Sequence, residues 1–451
     1  MSSRIERAVR KVNEAAPGRA GGVPQWQLSA EIPFGGSHVA RLRLDNGLTL
    51  LLLVDRSAPV VAYYTWFRVG SRHERPGKTG LAHLFEHLMF NETEDLAAGE
   101  FDRKLEESGA ETNAATWLDW TFYHEALPKD RLGLAIRLES SRMSRLVLRE
   151  PQVASEKEVV ANERRYRVED DVDGAASELL YRTAFTVHPY HWPTIGWMDD
   201  IAGFTPEDCE AFYRTYYAPN NAILVVVGDV DEADVLRKVG AAYGGIPAAT
   251  IPEEDTRPEP AQTEDRQATL VKPTASERVS IAWHGPALGD ADHPALTVLN
   301  EILMGGRASR LYRSFVVERE LVTDLRGWPS TFRDPGIYEI GFTARPGKTK
   351  DDILPLLDEA LARAREELVT DEELARAKAR LELGLLGSLD TAAGKAEQIG
   401  FNEIVLGDPA AGFRRLEVYR RITRGEIRTA ARRYLSRPRT VVHVIPERGG
   451  A

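Results

Sequence analysis

One cysteine in 451 residues, Cys209, is too few for an intramolecular disulfide and too few for a cysteine-built metal site. Any metal held here must rest on histidine and carboxylate, the donor set of catalytic rather than closed structural sites. Positive charge is also in deficit: 58 Lys and Arg against 69 Asp and Glu leave a net charge of −11. That balance argues against nucleic acid as a partner and gives no reason to expect binding to an anionic membrane. Nor does any apolar run approach the length of a bilayer span. Met1 to Gly22 carries Arg4, Arg7, Arg10, Lys11 and Arg19 with no hydrophobic core behind them, so it does not read as a secretory signal. Glu6 and Glu14 speak against a transit peptide, and residues 1–24 are expected to form a flexible, solvated N-terminus. The default location is the cytoplasm. With 43% hydrophobic and 28% charged residues, the composition is that of an ordinary globular protein long enough for two or more domains.

What is present centres on Leu81 to Phe90. At helical spacing His83 and His87 project from one face, and Glu86 borders that face. The other residues of the stretch are nearly all apolar, so the polar trio sits in a helix otherwise fit for burial. Two imidazoles and a carboxylate buried without partners are costly, and a bound cation removes that cost. H-x-x-E-H is the inverse of the commoner zinc signature. Two structural histidines that happen to fall at this spacing are the plain alternative.

Strands are expected at Leu48 to Val54 and Val60 to Val69, then a helix at Phe101 to Ser108 and a strand pair from Glu111 to Leu127. Long helical patterns run from Lys129 to Leu146 and from Pro151 to about Val168. A helix from Pro206 to Tyr217, a strand from Ala222 to Val227 and a helix from Glu232 to Tyr243 close the first half. Residues 246–267 turn to Pro, Glu, Thr and Asp and read as a linker between domains at 25–245 and 268–451. The second half restates the first. Thr205 through Tyr216 to Val227 recurs as Thr423 through Tyr434 to Ile445, and Leu81 to Met89 recurs as Leu296 to Met304. In the second copy Val298 and Ile302 stand where His83 and His87 stand in the first. Ligands must go together, and both have gone. The expected fold is α+β: two homologous α/β domains, a duplicated half-clamshell, each a mainly antiparallel sheet packed with helices.

A catalytic zinc wants a third protein ligand. The helix from Pro151 offers Glu156, Glu158 and Glu163, with Glu169 beyond it. Glu156 and Glu163 are seven apart and share a face with Val159 and Val160, whereas Glu158 falls off that face.

The chain from about Val39 resembles the M16 (pitrilysin/insulinase-like) zinc metallopeptidases, of the half-length M16B type that includes mitochondrial processing peptidase. The matching stretches are Asp45-Asn46-Gly47-Leu48, Gly70-Ser71-Arg72, Asn113-Ala114-Ala115-Thr116, His188-Pro189-Tyr190, Tyr217 to Ala222, Val227 to Val230 and Gly305 to Leu311. The resemblance implies a zinc-dependent endopeptidase in which His83, His87 and Glu163 hold the metal and Glu86 is the general base. Glu156 takes the family's place for a glutamate that supports a ligand histidine, with a plain helix salt bridge as its alternative. Asn113 and Ala114 would face the backbone of a peptide substrate added to an edge strand, and Phe85 would line a subsite. An ordinary strand edge and an ordinary core aromatic are the alternatives for these three.

His188 and His191 have metal-like spacing but are interrupted by Pro189 and Pro193, so they read as a structural turn, and His73 and His124 stay unassigned. Val316 and Thr323 occupy the places where family members complete in one chain carry an arginine and a tyrosine. That departure implies a heterodimer whose zinc-free homologous partner supplies the pair, with a homodimer as the alternative. A catalytically silent scaffold or a peptide-binding subunit of this fold is the competing reading.

Overall fold

The computed structural model describes residues 3–15, 25–255 and 257–447. Among these, twelve strands form two sheets. The first sheet holds β1 (Trp26–Phe34), β2 (Ser37–Leu44), β3 (Thr49–Val54), β4 (Val60–Phe67), β5 (Glu111–Thr116), β6 (Thr121–Pro128) and β7 (Ala222–Gly228). Its order is β1-β2-β3-β7-β4-β6-β5, with β3 and β7 parallel and the other neighbours antiparallel. β7, Ala-Ile-Leu-Val-Val-Val-Gly, is buried at every residue, as a central strand covered on both faces must be. β5 is polar and short and lies at an edge. The second sheet holds β8 (Arg266–Lys272), β9 (Arg278–His284), β10 (Val322–Pro329), β11 (Ile337–Ala344) and β12 (Thr440–Pro446), in the order β10-β11-β9-β12-β8. The mainly antiparallel, twice-built α+β fold expected from the repeat is the one observed.

Helices of the N-terminal half include α1 (Arg4–Glu14), α2 (Leu81–Leu88), α3 (Glu100–Glu107), α4 (Leu132–Arg145), α5 (Glu150–Arg164) and α6 (Val172–Ala184). α1 corrects the expectation of a loose N-terminus. Ser3 and Glu6 close a capping box, Ile5 and Ala8 are buried, and α1 packs on the helix Glu232–Tyr243. Its basic residues lie along the outer side of an amphipathic helix, which a reading of charge alone misses. Residues 16–24 of that expectation lie outside the described residues. β1 was also not expected, and the Pro151 helix ends at Arg164 in a π-helical turn, Arg165–Glu169.

Two compact units emerge, and neither is one contiguous stretch. The first comprises Met1–Ala161, Thr194–Asp255 and Gly387–Phe413; the second comprises Asn162–Pro193, Thr256–Leu386 and Arg414–Ala451. Within the first unit the helix Ala392–Leu406 packs on β4 and β7, with Ala396 and Ile399 against Tyr64, Trp66 and Val225. Within the second, α6 packs on β8, β9 and β12. Each sheet thus receives a helix from the opposite half of the sequence, an exchange absent from a division into 25–245 and 268–451. Among the described residues no helix is long and apolar enough to cross a membrane.

Candidate metal centre

α2 begins at Gly80, whose φ is +95°. A Cβ there would sit 2.5 Å from the Ile195 carbonyl oxygen, so only glycine permits this crossing. Gly80 has no side chain with which to cap the helix. The Glu74 carboxylate does so instead, accepting from the Gly80 and Ala82 N–H groups at 2.8 Å each. Burial pushes the Glu74 carboxyl well above its ordinary value of 4.5, against the pull of those two N–H groups.

Phe85 turns into the core. It is fully buried against Phe212, Tyr213 and Tyr217, with ring centroids 5.4, 6.1 and 5.0 Å away. The expectation that it lines a subsite is therefore corrected: α2 buries most of its circumference, and this side of it faces protein. Below the helix the Tyr123 hydroxyl donates to the Phe85 carbonyl at 3.0 Å and lies 3.4 Å from the Tyr217 hydroxyl. Burial raises both tyrosines above the usual phenol range, and the Glu86 charge adds to the effect.

His83 is buried and His87 half-buried, with ring centroids 5.0 Å apart. Glu163 lies in the last turn of α5, an uninterrupted helix that starts in the first unit. One ligand atom from each of His83, His87 and Glu163 falls within 4.8 Å of the others, the group among the described residues that can hold a metal ion. Donors about 2 Å from a tetrahedral ion stand about 3.3 Å apart, a spacing of the same order as the one seen here. Two nitrogens and one carboxylate with no sulfur suit zinc, and three protein donors leave a coordination place open.

Glu156 has an oxygen 3.7 Å from His87 Nδ1. Glu158 and Glu169 are exposed. The shared face of Glu156 and Glu163 includes buried Val160 but not Val159, which is 45% exposed.

Residues 50–196 match the family model for insulinase (peptidase family M16), and residues 203–381 match that for the peptidase M16 inactive domain. The chain belongs to the M16 peptidase family. It is similar to the zinc protease PqqE of Helicobacter pylori, 30% identical over 353 residues that span 77% of this chain and 79% of that protein. An uncharacterized zinc protease of Streptomyces coelicolor is 27% identical over 442 residues, 97% of this chain and 95% of the relative. The crystal structure of a protease from Helicobacter pylori matches with a TM-score of 0.87 at 27% identity, covering 91% of this chain and 100% of that one. The region matched by the inactive-domain model includes Val298 and Ile302, which replace the histidines of the first copy.

The four other histidines considered in the sequence lie outside this group. His188 pairs with Asp334 at 3.1 Å, and the His191 ring meets the Phe185 carbonyl at 2.7 Å around the turn Pro189–His191. His73 bonds to the Gly70 backbone and faces Glu254 at 3.7 Å. His124 stacks on Tyr64 at 4.8 Å, and burial lowers its pKa. Asn113 is exposed on edge strand β5, and its amide oxygen accepts from the Ala114 N–H at 2.9 Å.

Several residues around the site escaped sequence reasoning: Glu74, Tyr123, Asn91 and Arg167. Arg167 holds Glu163 at 2.9 Å, and its i,i+4 spacing was a legible signal. Glu74 carried none, because it caps a helix from outside it.

Proposed function

We propose that this chain is a zinc-dependent endopeptidase acting on peptides or short unfolded polypeptides. The observation that carries the reading is the convergence of His83, His87 and Glu163, with Glu86 on the same helix as the two histidines. These three side chains would hold the ion. When bound, zinc supplies Lewis-acid polarisation of the scissile carbonyl and makes water acidic near pH 7.

The chain's own groups do the rest. Glu86 takes the proton of the attacking water and passes it to the leaving amine. Glu156, 3.7 Å from His87 Nδ1, would orient that ring and leave Nε2 for the ion. A substrate strand adds along β5, where the Asn113 side chain bonds the Ala114 N–H in place of a neighbouring strand. Main-chain pairing of this kind favours extended peptides with loose sequence preference.

Val316 and Thr323 offer neither a guanidinium nor a phenol. We therefore assign the arginine and tyrosine to a homologous, zinc-free partner subunit that closes a chamber with this one, in the cytoplasm. A homodimer is the second assembly.

The test is metal analysis followed by cleavage of a fluorogenic peptide, with and without the partner. About one zinc per chain and chelator-sensitive cleavage are expected. Glu86→Gln should keep the zinc and lose roughly a thousandfold or more in kcat. Zinc-loaded protein that cleaves nothing in any pairing sinks the peptidase reading in favour of a binder or scaffold.

A further inference from the structure

α2 ends at Leu88, and Asn91 and Glu92, just beyond Met89 and Phe90, meet α5 directly. The Asn91 N–H donates to the Leu88 carbonyl at 3.0 Å, which ties the residue to the end of the helix. Its side-chain oxygen accepts from the Glu92 N–H at 2.8 Å. That bond orients the amide, because an NH2 group could not face an N–H. The nitrogen is thereby turned toward Glu156, whose Oε1 it meets at 3.1 Å. The other oxygen of Glu156 is the one near His87 Nδ1. One residue on, Glu92 Oε2 accepts from Gln152 Nε2 at 2.8 Å. Gln152 and Glu156 are four apart, so two neighbouring residues grip one face of α5 at successive turns.

We infer that Asn91 and Glu92 are positioning residues for the metal centre, setting α5 against α2 so that Glu163 reaches the ion; this rests on the zinc reading above. The geometry explains why a tether here matters. Glu163 lies seven residues beyond Glu156, about 10 Å along the helix axis. A tilt of about 10° at the clamp moves it by about 2 Å, a full zinc–oxygen bond length. Asn91 also fixes which oxygen of Glu156 is left for His87. One residue thus acts on two of the three ligands.

A simple surface tether would alter stability and leave metal binding alone, so the test reads both. Asn91→Leu and Glu92→Leu are compared with the unaltered chain and with Glu92→Gln, whose amide oxygen can still accept from Gln152. The readouts are zinc dissociation constant by chelator competition, the visible spectrum of the cobalt-substituted protein, and thermal unfolding of the metal-free form. The two leucine variants should bind zinc about tenfold more weakly, with a changed cobalt spectrum and near-normal unfolding of the metal-free protein. Glu92→Gln should behave as the unaltered chain does. Unchanged affinity and spectrum in both leucine variants overturn the inference. If either fails to fold, Gln152→Met, on the partly exposed face of α5, takes its place with the same tenfold expectation and the same refutation. Failure of the unaltered protein to take up zinc overturns the metal-centre reading and this inference together, whereas normal uptake with unmoved variants overturns the inference alone.

Discussion

α2 and the helix His293–Met304 occupy matching places in the sequence repeat, yet one carries two histidines and the other apolar residues in their place. In the second, Val298 and Ile302 are buried in a core with Leu299, Leu303 and Ile340. The residue aligned with Glu86, Glu301, is held by Arg380 at 2.8 Å and so is not available as a base. Asn300 stands in the place of Phe85 and accepts from the Tyr338 hydroxyl at 3.2 Å, whereas Tyr123 reaches past Phe85 to its backbone carbonyl. Both helices are anchored by a buried tyrosine from the strand next to the sheet edge. The anchoring belongs to the fold, and the donors belong to the site.

The layers beneath the two helices differ in the same sense. Under α2 lie Glu125, Glu139 and Arg142, all buried, with Arg142 bonded to both carboxylates and over the rings of Phe101 and Tyr123 at 4.5 and 4.3 Å. Thr65 donates to Glu139 at 2.6 Å. Among the described residues of the second unit, Arg164 is the one arginine, lysine or acidic side chain in the buried class. Two carboxylates facing one guanidinium cannot all stay charged in a dry layer. Burial, with Glu139 beside it, pushes the Glu125 carboxyl well above its ordinary 4.5, while Arg142 opposes this.

The comparison breaks most severely if Arg142 can be lost without harm. Arg142→Leu should cost about 3–5 kcal/mol of unfolding free energy in denaturant titration, since it strands Glu139 and Glu125. Glu125→Gln should be nearly neutral near pH 4 and stabilising at pH 7, since the amide mimics the protonated carboxyl. Because the folded pKa of Glu125 lies above its unfolded value, its contribution is full below about 4.5 and lost as pH rises toward the folded value. Thermal melts of the metal-free protein should therefore show stability falling with rising pH through that window, with a shallower slope in Glu125→Gln.

Exchanging the helices' donors sharpens the comparison further. Val298→His with Ile302→His should bind no zinc and should lose about 2–4 kcal/mol, because imidazoles enter an apolar core with no third ligand supplied. His83→Val with His87→Ile should abolish zinc uptake yet raise the stability of the metal-free protein by about 1 kcal/mol. Zinc uptake by the first variant would show that the fold place alone suffices.

The smallest expected effect concerns Glu320, at φ +49° between the π-helical turn Tyr312–Glu318 and β10. Glu320→Gly should stabilise by about 0.5 kcal/mol in the same titrations by relieving a left-handed residue.

Much of the candidate site is legible in the sequence. Two histidines and a glutamate on one helical face follow from a 3.6-residue period, and that relation is local. Phe85 was misjudged because an aromatic residue beside a site carries no mark of which way it faces. The basic N-terminus was misjudged because charge outweighed the buried pair Ile5 and Ala8. The grip of Asn91 and Glu92 on α5 left no trace in the sequence, since the partners are sixty or more residues apart.

Sequence alone settled the donor types, the repeat and the loss of both histidines from the second copy, because each is a matter of residue identity at short spacing. The family resemblance singled out Glu163 among four glutamates, but only the tertiary structure brought it to the histidines and decided which sheet receives α6 or the helix Ala392–Leu406. An amphipathic helix specifies that one of its faces must be covered and not what covers it; that choice is made by contacts between segments far apart in the chain.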